Sequence, residues 1–192
     1  MRMPPLPTPA PLDEPSRVVG DRPTQVSKPI TISPYDPDWP VRFRREEARI
    51  RCALGATALS IDHVGSTAVP GLAAKDRVDI DLIVADPADE DAYVPALAVA
   101  GYRLAAREPH WYEHRCLWDA NHDVNLHVFG PDCDEHLRHL ILRDWLRANP
   151  GDRVLYEAGK REAAAASPMS MSGYVAAKGG VILDILRRAG LS

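Results

Sequence analysis

Two aspartates, Asp79 and Asp81, stand two residues apart in the run RVDIDLIVA. Side chains at i and i+2 of a strand leave the same face, so both carboxylates project together while Val78, Ile80 and Leu82 pack the other way. Adjacent carboxylates repel unless a cation lies between them. Hard oxygen ligands favour Mg2+ or Mn2+, which stabilise charge developing on a transferred phosphate. Taken alone, the pair also fits a strand end in which Asp81 meets a lysine and Asp79 caps a neighbouring backbone. The run upstream, HVGSTAVPG, adds a second feature. Gly65 permits an unusual φ and close backbone approach, and Ser66 and Thr67 bring hydroxyls beside free N–H groups, a combination that can cradle a phosphate. Lys75, just past the turn, is a further phosphate candidate.

These residues need elements to hold them. Pro40 suits a first helical position and Asp38 a cap, and the apolar positions Phe43, Ile50, Ala53 and Leu54 predict a helix to about Leu54. ALSIDHVGS reads as a strand entering the turn, and RVDIDLIVA as a buried strand. A helix is expected from about Asp89 to Ala100, ending at Gly101. WYEHRCLW and DVNLHVFG are strands joined by the hairpin turn DANHD. The last third reads as three helices, the final two separated by the small-residue loop SPMSMSG. Strands thus concentrate between residues 30 and 130 and helices afterwards, an α+β arrangement.

Residues 1–29 hold eight prolines and are expected to form a disordered, Pro-rich tail before a single domain spanning 30–192. With 45% hydrophobic residues the chain can bury a core, and a net charge of −4 lacks the basic footprint of a phosphate-backbone binder, so no nucleic-acid partner is expected. Cys52, Cys116 and Cys133 have no CxxC spacing and suit a reducing cytoplasm. No apolar run reaches membrane-span length, and the start MRMPPLPTPAPL has no uninterrupted apolar stretch of the signal-peptide kind.

The Gly-Ser turn followed, after twelve residues from Ser66, by DID resembles the nucleotidyltransferase pattern. With YDPDWPVRF, VNLHVF, RHLILRDWLRANP and YVAAK in order, the chain is identified as a member of the GrpB family over about residues 30–190. The resemblance implies an α+β (α/β) nucleotidyltransferase-like core, a short mixed or antiparallel sheet flanked by helices. It also implies that Gly65 and Ser66 hold nucleotide phosphates, with ATP or another nucleoside triphosphate as ligand, Mg2+ or Mn2+ as cofactor and a small-molecule acceptor. The alternation of DVNLHVF sends Asp123, Asn125, His127 and Phe129 to one face, so the family's third-acid position falls on His127 or Asn125. Imidazole and carboxamide bind Mg2+ less well than carboxylate, so a second metal is expected weak or absent, or to be Mn2+ or Zn2+. Asp79, Asp81 and His127 are accordingly the metal and catalytic candidates. Gly65, Ser66, Thr67, Lys75, Arg143 and Lys178 are the candidates for holding the nucleotide.

Arg143 would offer its planar fork to triphosphate charge, and Tyr174 and Lys178, four apart, share a helix face within reach of a ligand. His63 reads as an orienting or structural residue, and the histidine spacings match no zinc motif. Two functions follow. One is a metal-dependent adenylyl or related nucleotidyl transferase; the other is a non-catalytic accessory, folding-aid or nucleotide-sensing domain like those fused to dephospho-CoA kinase.

Overall fold

The structure, a computed structural model, describes residues 3–7, 17–18 and 28–192. Its strands are β1 (Arg17–Val18), β2 (Ser60–Val64), β3 (Val78–Ile83), β4 (Tyr102–Glu108), β5 (His114–Asp119) and β6 (Val124–Phe129). They form one sheet in the order β1-β4-β5-β6-β3-β2, every pair antiparallel except β3 with β6. Its helices are α1 (Trp39–Leu54), α2 (Val94–Val99), α3 (Asp134–Ala148), α4 (Pro150–Ala166) and α5 (Met171–Arg188). This is the expected α+β class with a mixed sheet.

Alternation along the central strands divides the sheet. Val78, Ile80 and Leu82 of β3 join Val124, Leu126 and Val128 of β6 and Leu117 of β5 in the main core, under Ile50 and Leu54 of α1 and Leu97 of α2. Burial of those side chains drives the assembly of this layer. The intervening positions leave polar side chains on the opposite face, where α3 lies. A second apolar cluster ties Val69 and Leu72, which follow the Gly-Ser turn, to Leu146, Tyr156 and Ile185 of the three C-terminal helices. The start of α1 is fastened to the segment before β3, where Asp76 accepts hydrogen bonds from Trp39 Nε1 at 2.8 Å and from Arg42.

Several elements differ from the expectation. The helix over 89–100 is reduced to the six residues of α2 after a single 3-10 turn, because Tyr93 adopts φ −142° and breaks the helical path. Strand β4 was not expected: a register shift between Leu104 and Ala106 breaks the period-two pattern by which a strand is recognised. Strand β5 starts at His114 because Tyr112 and Glu113 turn through positive φ. Asp38 makes no side-chain cap; its N–H instead donates to Asp36 Oδ1 at 2.8 Å. The end of SPMSMSG is helical, since Ser170 Oγ caps α5 by accepting from the Gly173 N–H.

Most of the expected tail lies outside the described residues. Of the parts described, Arg17 and Val18 pair with Arg107 and Ala106 of β4. Within residues 3–7, the Leu6 N–H donates to the Ser192 carbonyl at 3.3 Å, and Arg138 donates to the Pro5 carbonyl at 2.8 Å.

Candidate functional site

Asp79 and Asp81 share a face, as strand geometry requires, but they have different neighbours. In register across the sheet, Asp81 lies between Asp62 of β2 and His127 of β6, and Asp79 lies between Val64 and Asn125. A row of ionisable side chains therefore crosses three strands on the face that α3 covers.

Asp81 is fully buried, and its carboxylate accepts from His136 Nδ1 and His139 Nδ1, each at 2.9 Å. Burial alone would raise the Asp81 pKa and lower that of His139. The opposed charges and the hydrogen bonds outweigh it: the Asp81 carboxyl is held well below the usual range, and the imidazole of His139 is raised well above its ordinary value. Glu135 Oε1, at 3.4 Å from His139 Nε2, adds to the second effect. The cation that answers Asp81 is thus an imidazolium carried by α3.

Asp79 keeps an open side. Its Oδ1 accepts from Asn125 Nδ2 at 2.8 Å, while His127 Nε2 stands 3.9 Å away, beyond hydrogen-bond length. Burial opposes its ionisation, but His127, Asn125 and Lys75 hold the carboxyl well below the usual carboxylate range. Gly65 presses against this carboxylate at φ 69° and ψ −168°; a Cβ there would lie 2.6 Å from Asp79 Oδ2. Only glycine accepts both that backbone conformation and that approach.

The turn is built from within and clamped from outside. Thr67 is buried with its hydroxyl 3.0 Å from His63 Nε2, and His63 stacks flat on Phe43 at 4.7 Å. Burial lowers the His63 pKa to about 4, with Arg147 and Arg143 adding to the effect and Asp79 opposing it, so the ring is neutral. Arg143 donates to the His63 carbonyl at 3.1 Å, and Arg147 donates twice to the Ala68 carbonyl, at 3.0 and 2.8 Å. Arg143 is also paired with Asp144 at 2.8 Å. The fork considered for phosphate therefore grips the turn's own backbone, and Ser66, half-buried, begins the 3-10 turn between the two clamps.

Beyond the turn three lysines gather around two tyrosines. Lys75 and Lys178 lie over the ring of Tyr174 at 5.0 and 5.3 Å, and Lys160 lies over that of Tyr156 at 4.8 Å. Lys75 also reaches Met171 Sδ at 3.2 Å, and the buried Lys160 donates to the Ala73 carbonyl. Among the described residues none of the three has a carboxylate in a salt bridge. Burial, with the nearby Lys178 adding to it, lowers Lys75 to about 8 and Lys160 to about 7, although Asp79 works against this at Lys75 and Glu157 at Lys160. Crowded, partly desolvated ammonium groups of this kind gain from a multivalent anion. Lys160 was not foreseen in the sequence, since in AGKREAAAA it reads as part of a solvated helix flank; neither were His136 and His139, whose i, i+3 spacing was the available signal.

Among the described residues no three His, Cys, Asp or Glu side chains are arranged to hold a metal ion. Asp79 and His127, 3.9 Å apart, are the two side chains that would hold one ion, with water and phosphate oxygens in its remaining positions. Asp81, engaged by two imidazoles, does not fit a second. No helix of the described residues is long and apolar enough to cross a membrane.

The family model described as GrpB protein matches residues 29–188. A UPF0157 protein of Halalkalibacterium halodurans is 49% identical over 160 residues, which cover 83% of this chain and 82% of that protein. A dephospho-CoA kinase of Mycolicibacterium paratuberculosis is 35% identical over 187 residues; the match takes 84% of this chain but only 46% of the kinase. Among solved structures, the conserved protein GrpB from Enterococcus faecalis superposes with a TM-score of 0.71 at 27% identity, over 82% of this chain and 98% of that one.

Proposed function

The chain belongs to the GrpB family, and on that premise we propose that it binds a nucleoside triphosphate, ATP in the first instance, with Mg2+ or Mn2+ and acts as a nucleotidyl transferase toward a small acceptor. The observation that carries this reading is the juxtaposition of Asp79, the Gly65 turn and three lysines that make no salt bridge among the described residues. Lys75 and Lys178 supply charge that a triphosphate neutralises, and the Gly65 and Ser66 backbone supplies a close, side-chain-free approach. A divalent ion at Asp79 and His127 would stabilise charge on the transferred phosphoryl group. In the reaction an acceptor hydroxyl or amine attacks the α-phosphorus, its oxygen or nitrogen bonds to phosphorus and gives up its proton to water, the α–β bridging bond breaks, and pyrophosphate leaves with its electron pair. The protein's part is positioning and charge neutralisation.

One observation favours a second reading. Asp81, the partner a two-ion centre would call on, is closed off by His136 and His139, which suits a domain that binds nucleotide without turning it over. The match to part of a dephospho-CoA kinase supports the same accessory role.

Thermal unfolding with each of the four nucleoside triphosphates, with Mg2+, with Mn2+ and without metal, tests the first reading. A ligand at about 100 times its Kd stabilises by about 2.7 kcal/mol, a shift of several degrees that a Lys75→Ala, Lys178→Ala variant should lose. No shift at millimolar concentration with either metal removes the nucleotide reading; a shift without pyrophosphate release from any acceptor favours the accessory one.

A further inference from the structure

The segment that carries Lys75 is held from several sides. Glu157 Oε2 accepts from the Ala73 N–H at 3.3 Å and Lys160 donates to the Ala73 carbonyl, so α4 grips both backbone groups of one residue. Ala74 exchanges backbone hydrogen bonds with Ser33 at 2.8 and 2.9 Å. The Asp76 carboxylate is drawn toward α1 by Trp39 and Arg42. The Arg77 N–H donates to the Lys75 carbonyl at 2.7 Å, closing a tight bend with Asp76 at its tip. A bend fixed in this way gives the side chains on either side of Asp76 a set direction.

Arg77 turns toward Asp79. Its Nη1 lies 3.4 Å from Asn125 Oδ1, and Asn125 Nδ2 donates to Asp79 Oδ1 at 2.8 Å. The direction of the amide follows from donor inventory alone: a guanidinium carries donors and no acceptor, so the carboxamide oxygen faces Arg77 and its nitrogen faces Asp79. The contact to Asn125 is long for a hydrogen bond and uses one nitrogen of the fork. Arg77 is half-buried and makes no salt bridge among the described residues. Its charge lies close enough to Lys75 to lower that ammonium's pKa, as the charge of Lys178 does. A carboxylate at position 125 would pair with the guanidinium and satisfy it. The neutral amide leans on one nitrogen and leaves the rest of the fork for an anion, which planar paired donors bind through two oxygens at once.

We propose that Arg77 is a further anion-binding residue of this site, placed beside Lys75 to take the non-bridging oxygens of a polyphosphate chain, and that Asn125 is the positioning residue that aims it. The inference rests on the proposed triphosphate reading for the identity of the ligand, and on the geometry of Arg77, Asn125 and Asp79 for the residue.

Calorimetric titration of the full chain with metal-free inorganic tripolyphosphate, and separately with ATP and Mg2+, tests this, with circular dichroism to show that each variant is folded. Arg77→Gln, which removes the charge at similar length, should weaken tripolyphosphate by about tenfold, and Arg77→Lys should recover part of the loss. Asn125→Ala should weaken it a few-fold in the parent and not at all in the Arg77→Gln background, because Asn125 acts through the guanidinium; a merely structural role would cost the same in both. Arg77→Gln binding tripolyphosphate as tightly as the parent overturns the role of Arg77, and equal losses for Asn125→Ala in the two backgrounds overturn that of Asn125. If tripolyphosphate binds and ATP does not, the nucleotide reading falls and Arg77 stands; if neither binds the parent, both fall.

Discussion

Gly65→Ala is the substitution whose effect can be worked most directly from the site. Its backbone, at φ 69° and ψ −168°, lies in a region reached essentially by glycine alone, and holding another residue there costs about 1–3 kcal/mol. The new Cβ would also sit 2.6 Å from Asp79 Oδ2, so the carboxylate must move and release its 2.8 Å bond from Asn125. Loss of a hydrogen bond to a charged group adds about 1.5–3 kcal/mol. Together these predict a destabilisation of about 2.5–6 kcal/mol, which in a chain this size lowers Tm by about 5–24 °C. Urea denaturation of Gly65→Ala, Asp79→Ala and the double variant separates the parts. With Asp79 already Ala, the glycine substitution should keep only its backbone cost, and the coupling between the two sites should be about 1–3 kcal/mol. A Gly65→Ala protein within about 0.5 kcal/mol of the parent would show that the turn is not held against Asp79, and would remove the basis for reading it as a phosphate cradle.

Acid should destabilise the protein before any carboxylate titrates. The unfolded chain takes up a proton at His63 below its ordinary value of 6.5, the folded one only near 4, so stability falls as pH drops through that interval; denaturation at pH 6.5 and 5, below the range in which the raised His139 works the other way, should show it, with a smaller drop in His63→Asn. Lys160 acts at the other end of the scale. Its folded pKa of about 7 lies below its ordinary 10.5, so between these values the unfolded state holds the extra proton and stability rises with pH, a slope that Lys160→Met should reduce. Arg147→Ala removes both hydrogen bonds to the Ala68 carbonyl. Since the guanidinium is partly exposed, the expected loss is about 1 kcal/mol, and the thermal shift given by triphosphate should shrink with it.

The central strands were legible because their chemistry is local. Val78, Ile80 and Leu82 alternate with Asp79 and Asp81, and Val124, Leu126 and Val128 alternate with Asn125 and His127, so period two identifies both strands and the shared polar face. Gly65 was legible for the same reason, since a Gly-Ser pair directly after a strand marks a turn. Strand β4 was not, because its bulge puts Ala105 and Ala106 together in the interior and erases the alternation. Its absence from the sequence reading also hid the contact that Glu108, which ends that strand, makes with His114.

The reading of Asp81 turned on information that no local pattern contains. Paired carboxylates do require a cation, and a metal is the simplest inference when the neighbours in sequence are Val78, Ile80 and Leu82. The cation found lies 58 residues further along the chain, on α3. His136, His139, Arg143 and Arg147 follow one another at intervals of three, four and four residues, so they form a single stripe down the helix. In sequence such a stripe reads as a solvated flank, because polarity at helical spacing is what the outside of a helix displays. What turns it inward is the strand it meets. The first half of the stripe faces the buried Asp81, and the second half faces the carbonyls of His63 and Ala68 at the two ends of the Gly-Ser turn. Helix α3 therefore neutralises one aspartate and fixes the turn beside the other. Asp79 is left as the carboxylate with an open side, the lysines lie beyond it, and the two acidic residues of the DID run are assigned to different work by a helix that neither of them precedes closely.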